Sequence, residues 1–250
     1  MMDMARKVRE RCESNTYHVM LRGINRQQIF LDQLDNQHFL EVLTECREIS
    51  KYHIYAYCFM GNHVHLLLRV GEEPLEQVMK RIGTRYAVWY NNKYARAGHL
   101  FQDRYRSEAV KDDVYFLMVL RYILNNPVKG GICRKAEDYR WSSAADYITG
   151  GGITETAFAE GLLGREALLK YLKTPSDDIC MDDNPSRFRD SEALEIIQDT
   201  VGGEDLAACL KKICNQPERY VSRLRNAGLS IRQISRLTGL SVGIVRKQPD

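Results

Sequence analysis

Apolar residues alternate strictly in some stretches and recur every three to four positions in others, and the change of period marks out the elements. Residues 17–22 (YHVMLR) alternate and are rich in β-forming side chains, which predicts a strand. Phe39, Leu40, Leu43, Cys46 and Ile49 then recur at helical spacing, predicting a helix over 35–51 with Asp35 as its N-cap. Residues 54–60 (IYAYCFM) are a short, nearly continuous apolar run, the pattern of a buried strand. Gly61-Asn62 is a two-residue turn signal, and 63–69 (HVHLLLR) returns from it as the second strand of a hairpin. Pro74, tolerated in a first turn, opens a helix that runs through Val78, Ile82, Tyr86 and Trp89 to Tyr94. Residues 101–111 alternate again as a strand. Asp112 caps a helix through Tyr115, Leu117, Leu120 and Ile123 that Pro127 ends. The order strand, helix, hairpin, helix, strand, helix is α+β and fits a ferredoxin-like antiparallel sheet carrying helices on one face.

Beyond residue 150 the pattern changes. Gly150-Gly151-Gly152 and the acidic, turn-rich run 174–185 are breaks, with a short helix between them over 160–172. Residues 230–247 (SIRQISRLTGLSVGIVRK) read as a helix-turn-helix. Ser230 and Gln233 form a capping box, Ile234 and Leu237 supply the buried face, and Gly239 makes the turn. Ser241 caps a second helix packed through Ile244 and Val245. A helix over 217–226, ended by Gly228, completes a three-helix unit. We therefore expect a domain over 1–150, an acidic helical connector over 151–205 and a helix-turn-helix module over 206–250.

Charge supports that division. The net charge of +3 is unremarkable, but 1–150 carries 22 Lys/Arg against 18 Asp/Glu, 151–205 carries 5 against 13, and 206–250 carries 9 against 2. A basic tail of this kind suits a polyanionic partner, with Arg232, Arg246 and Lys247 as its candidate DNA contacts; an unbalanced solvated helix face is the other reading. The chain is 44% hydrophobic and 28% charged, which excludes collagen, disulfide-knot and wholly disordered classes. No apolar run approaches the roughly 18–20 residues a membrane span needs, and no signal sequence is visible, so we expect a cytoplasmic, nucleoid-associated protein without a membrane partner. Seven cysteines, odd in number and without a C-x-x-C pair, read as reduced thiols.

Candidate chemistry begins at His63 and His65. Two positions apart on a strand, both imidazoles project from one face, which is either half of a divalent-metal site or a packing pair. Tyr122 and Asn126, four apart on the next helix, share a face and offer a phenol and an amide oxygen. A phenolate is a competent nucleophile toward phosphorus, and a metal would favour its ionisation and polarise the phosphate. Tyr115, seven residues before Tyr122, lies on nearly the same face and is either a packing residue or a rival nucleophile.

The segments YHVMLRGINRQQIF (17–30), YAYCFMGNHVHLLL (55–68), GHLFQDRYRSEAV (98–110), RYILNNPVKGG (121–131) and YRWSSAADY (139–147) resemble the single-tyrosine transposases of the histidine–hydrophobic–histidine superfamily, the REP-associated branch above all. The resemblance covers about residues 4–150. It implies that His63 and His65 ligate Mg²⁺ or Mn²⁺, that Tyr122 is the nucleophile, and that Asn126 stands at the third-ligand position, where such enzymes often carry the longer Gln. It implies attack on single-stranded, hairpin-containing DNA to give a 5′-phosphotyrosine and a free 3′-hydroxyl, which later rejoins or transfers the strand. Arg22, Asn25, Arg26, Arg104, Arg106 and Lys111 lie in the matching segments as candidate phosphate or base contacts, with Tyr105 as a stacking platform. The tail would add duplex DNA, and a monomer is favoured over a homodimer. A DNA-binding regulator with an idle nuclease site, and a replication initiator or relaxase, are the alternatives.

Overall fold

The computed structural model describes residues 13–102, 104–174, 180, 190–203, 205–229 and 231–248. They form two compact units, Met1–Asp182 and Asp183–Asp250. The first contains β1 (Thr16–Arg22), α1 (Gln33–Ser50), β2 (His53–Met60), β3 (His63–Arg69), α2 (Leu75–Lys93), β4 (Arg106–Ala109), α3 (Asp113–Lys129), α4 (Ala144–Thr149), α5 (Ala157–Leu163) and α6 (Arg165–Lys173). The strands make one antiparallel sheet in the order β2-β3-β1-β4, the expected ferredoxin-like arrangement.

Register decides which side chains meet. Residues directly opposite in an antiparallel pair share a face. Tyr17, Val19 and Leu21 of β1 and Val64, Leu66 and Leu68 of β3 turn to one face and bury against Phe39, Val42 and Leu43 of α1 and Val78, Ile82 and Tyr86 of α2. His18, Met20 and Arg22 turn to the other. There Arg22 is opposite His63, Met20 lies between His65 and Arg106, and His18 lies between Leu67 and Glu108. A bulge between Ile54 and Ala56 lets both Tyr55 and Ala56 join this second face.

The second face is not open. α3 lies on it through Phe116, Val119, Leu120, Ile123 and Leu124, and Ala159 of α5 with Leu168 and Leu172 of α6 extend the same core. The expected placement of helices on one face is therefore corrected: α1 and α2 cover one side and α3 the other. The continuous apolar run of β2 has this as its cause, because a strand buried on both faces has no polar alternation.

Local differences have local reasons. Asp32, not Asp35, caps α1; Asp35 is the third helical residue and returns a carboxylate bond to the Asp32 N–H, completing a capping box. α3 is capped by Asp112 as expected, but it runs through Pro127 to Lys129. Proline removes only its own N–H, and the Gly130 N–H still donates to the Asn126 carbonyl at 2.9 Å, closing the turn beyond it. The strand expected over 101–111 is confined to β4, while Phe101 forms an isolated bridge with Gly23. The single helix expected over 160–172 is two, because Gly164 takes φ 78° between α5 and α6.

The second unit holds α7 (Asp190–Val201), α8 (Leu206–Asn215), α9 (Pro217–Asn226), α10 (Ile231–Thr238) and α11 (Val242–Lys247). Ala193, Ile197, Cys209, Ile213, Leu224, Ile234 and Val245 give it a core of its own. The expected connector over 151–205 is accordingly divided: α5 and α6 pack in the first unit, α7 in the second. Gly239, at φ 78°, turns the chain between α10 and α11, and the Ser241 hydroxyl accepts from the Ile244 N–H at 3.3 Å. Val245 is buried as expected but Ile244 is exposed, since neighbouring helix positions point about 100° apart. Ser230 of the expected capping box lies outside the described residues. Six cysteines are free thiols among the described residues, and Cys12 lies outside them. No described helix is long and apolar enough to cross a membrane.

Candidate active site

Three imidazoles and one phenol meet between the sheet and α3. His65 and His18 are completely buried, while His63 is half-buried beside the β2–β3 turn. The His63 and His65 ring centroids are 5.0 Å apart with the planes nearly perpendicular. His18 sits behind them, its Nε2 3.0 Å from Nδ1 of His65. Tyr122 descends from α3 with its ring 5.7 Å from His65 and 5.9 Å from His18, and only 2% of its surface is exposed. Sheet alternation aims the imidazoles and the apolar stripe of α3 holds the phenol over them, so both parts are positioned by the same core.

His63, His65 and Tyr122 are thus brought together. Two neighbours of this cluster, His18 and Lys129, were not singled out from the sequence. The Lys129 Nζ lies 5.0 Å from the Tyr122 ring centroid, seven residues and about two turns further along α3. His18 is the even member of an alternation whose odd members are all core, a signal of a polar role on the opposite face.

Asn126 is half-buried on α3, four residues after Tyr122. Tyr115 bonds Glu108, which lies opposite His18 on the same sheet face. Burial, then a hydrogen bond to Glu108 and that carboxylate's charge, push its phenol far above the usual tyrosine range. Such a group resists becoming a phenolate.

The donor set fits a divalent ion in part. The Nε2 atoms of His63 and His65 are both buried, on adjacent rings. Among the described residues no group of three or more His, Cys, Asp or Glu side chains is arranged to hold a metal, and the third imidazole, His18, has its Nε2 against His65. Two nitrogen donors alone would leave most positions of a divalent ion to be filled by water and substrate oxygens.

The expected DNA contacts separate into groups. Arg22 and Arg106 share the imidazole face, Arg22 half-buried opposite His63 and Arg106 exposed. Asn25 and Arg26 are exposed in the short 3₁₀ turn after β1, both with positive φ, and the Gly23 N–H ties this turn to the Asn62 carbonyl at 2.9 Å. Lys111 is exposed just before the α3 cap. Arg104 is exposed but lines a cavity with Leu21 and Met79, on the α1/α2 side of the sheet. Tyr105 corrects the expectation of a stacking platform: it is 8% exposed and packs in the core with α2. In the second unit Arg246 and Lys247 are exposed on α11, and the side chain of Arg232 lies outside the described residues.

Residues 12–126 match the family model described as IS200-like transposase, a stretch that begins before β1 and ends on Asn126, so it contains the whole imidazole–phenol cluster. The chain is thus similar to the IS200-like transposases, and the resemblance read from its five segments holds. Among solved structures, a REP-associated tyrosine transposase bound to a REP hairpin shares the fold at 16% identity, covering 71% of this chain and 95% of that one with a TM-score of 0.53. A provisionally assigned transposase from Deinococcus radiodurans R1 aligns at 19% identity over 48% of this chain and 97% of its own, with a TM-score of 0.35. No curated protein matches the chain.

Proposed function

We propose that this protein cleaves and rejoins single-stranded, hairpin-containing DNA in a metal-dependent reaction, with Tyr122 as the nucleophile. The observation that carries this reading is the buried contact of the Tyr122 ring with His65, at 5.7 Å, on the sheet face that also presents His63. His63 and His65 would hold Mg²⁺ or Mn²⁺, which, when bound, polarises a phosphate oxygen and offsets the charge developing on it.

The Tyr122 oxygen attacks phosphorus and gives up its proton. The bond from phosphorus to the 3′ oxygen breaks, and that oxygen leaves with a proton as a free 3′-hydroxyl. The 5′ end stays on the tyrosine as a phosphodiester, so the bond energy is retained and the reverse attack by a 3′-hydroxyl needs no nucleotide triphosphate. Lys129 places positive charge beside the phenol. Arg22 and Arg106, on the imidazole face, hold the backbone on either side of the scissile phosphate. Asn126 would be the third residue holding the ion, directly or through a bridging water, its side chain being one methylene shorter than Gln. α10 and α11, with Arg246 and Lys247 exposed, bind duplex DNA flanking the target. Helix α3 belongs to the core of its own chain, which favours a monomer acting in cis.

The test is incubation of the protein with single-stranded hairpin oligonucleotides and Mn²⁺, followed by denaturing electrophoresis. A denaturation-resistant protein–DNA adduct is expected; duplex binding without adduct would instead favour a regulator.

A further inference from the structure

The side chain of Asn62, in the two-residue turn between β2 and β3, has both of its ends committed. Its Nδ2 donates to the Arg26 carbonyl at 3.2 Å, and its Oδ1 lies 2.6 Å from Nδ1 of His63. A carbonyl can only accept, so the bond to Arg26 fixes which way the amide faces; turned over, it would set two oxygens against each other. The atom facing His63 is therefore an acceptor, and the ring nitrogen opposite it must carry a proton. A neutral imidazole has only one.

We propose that Asn62 is a positioning residue that holds the His63 proton on Nδ1 and so leaves Nε2 as the ring's lone-pair donor. The role of that lone pair rests on the metal reading given above; the tautomer itself does not. Outer partners of this kind orient an imidazole and raise its basicity, and their loss commonly weakens metal binding by about 10- to 100-fold. The arrangement also has a second end. Arg26 and Asn25 are exposed in the left-handed region, and the Gly23 N–H bonds the Asn62 carbonyl, so the turn after β1 and the imidazole are joined through one residue. Asn62 is half-buried in the turn and outside the apolar clusters, and its side chain bonds one partner at each end.

The experiment uses the full chain, labelled with ¹⁵N-histidine and free of metal, at a pH where imidazole is neutral. Long-range proton–nitrogen correlations read the tautomer of His63, assigned by its disappearance in His63→Gln. We expect Nδ1 protonated and Nε2 bare in the parent, a mixture of tautomers in Asn62→Ala, and the parental pattern in Asn62→Asp, whose carboxylate also accepts. Backbone amide spectra check that each variant keeps the fold. Mn²⁺ titration by paramagnetic resonance should then show about 10-fold weaker binding or more in Asn62→Ala, recovered in Asn62→Asp. A protonated Nε2 in the parent, or an Asn62→Ala protein with an unchanged tautomer, overturns the assignment. Failure of the parent to bind Mn²⁺ overturns the metal reading instead, and the tautomer spectra still decide the role of Asn62.

Discussion

Replacing Tyr122 by Phe removes one oxygen and nothing else, and the structure indicates what that should cost. The ring is 2% exposed and touches His18 and His65 at 5.9 and 5.7 Å, contacts that phenylalanine keeps. Losing a hydroxyl at such a position costs about 0.5–1.5 kcal/mol, which in a domain of this size moves the melting temperature by about 1–6 °C. Tyr122→Ala would instead empty a ring-sized space and cost about 3–5 kcal/mol, confounding chemistry with unfolding. Tyr122→Phe is therefore the informative variant: nearly full stability, nearly unchanged binding of single-stranded hairpin DNA, and no covalent adduct after incubation with Mn²⁺. Tyr115→Phe is its control, because that phenol bonds Glu108 and is held protonated. Denaturing gels and calorimetric melts on the same preparations give both readouts. Adduct formed by Tyr122→Phe and lost in Tyr115→Phe would move the nucleophile to the earlier tyrosine and refute the reasoning from ring contacts.

Three further outcomes are expected. His63→Ala, or EDTA added to the parent, should stop cleavage while leaving hairpin binding measurable by gel shift; cleavage without a divalent ion would contradict the imidazole pair as ligands. Arg246→Ala with Lys247→Ala should weaken duplex binding and flatten its salt dependence by up to about two phosphate contacts, leaving single-strand cleavage intact. Glu73, bonded to Arg81, is depressed from 4.5 to about 2, the Arg81 bond being the main cause and Ser50 adding to it. Its stabilising contribution is complete above about pH 4.5 and is lost as pH falls toward 2, so Glu73→Gln should flatten acid unfolding in that window and leave stability above it lower and constant.

The parts of the site that could be read from the sequence are those that depend on local period. His63 and His65 share a face because strand side chains alternate, and β3 spans 63–69 as the pattern predicts. α9 spans Pro217–Asn226, the bounds expected from the sequence. What was not legible depends on register or on chain returning from a distance. His18 meets His65 only because β1 pairs with β3 in one register out of several. Asn62 meets Arg26 only because the turn after β1 folds back on the hairpin. Tyr105, set between Arg104 and Arg106, looks like an aromatic within a basic patch, yet the turn of the chain before β4 sends it into the core while both arginines stay outside. The covering of both sheet faces was available in principle, since an apolar run without alternation, as in β2, implies two buried sides.

Helix α3 carries the phenol on the same stretch that seals one side of the sheet. Five of its apolar side chains, Phe116, Val119, Leu120, Ile123 and Leu124, are almost completely enclosed, and withdrawing them would cost on the order of 10 kcal/mol. On the mechanism proposed above, a DNA end joined to Tyr122 would be moored to a helix locked into the core. Rejoining would then proceed by delivery of the incoming strand to a stationary tyrosine, and the freedom needed to exchange one partner strand for another would reside in the nucleic acid.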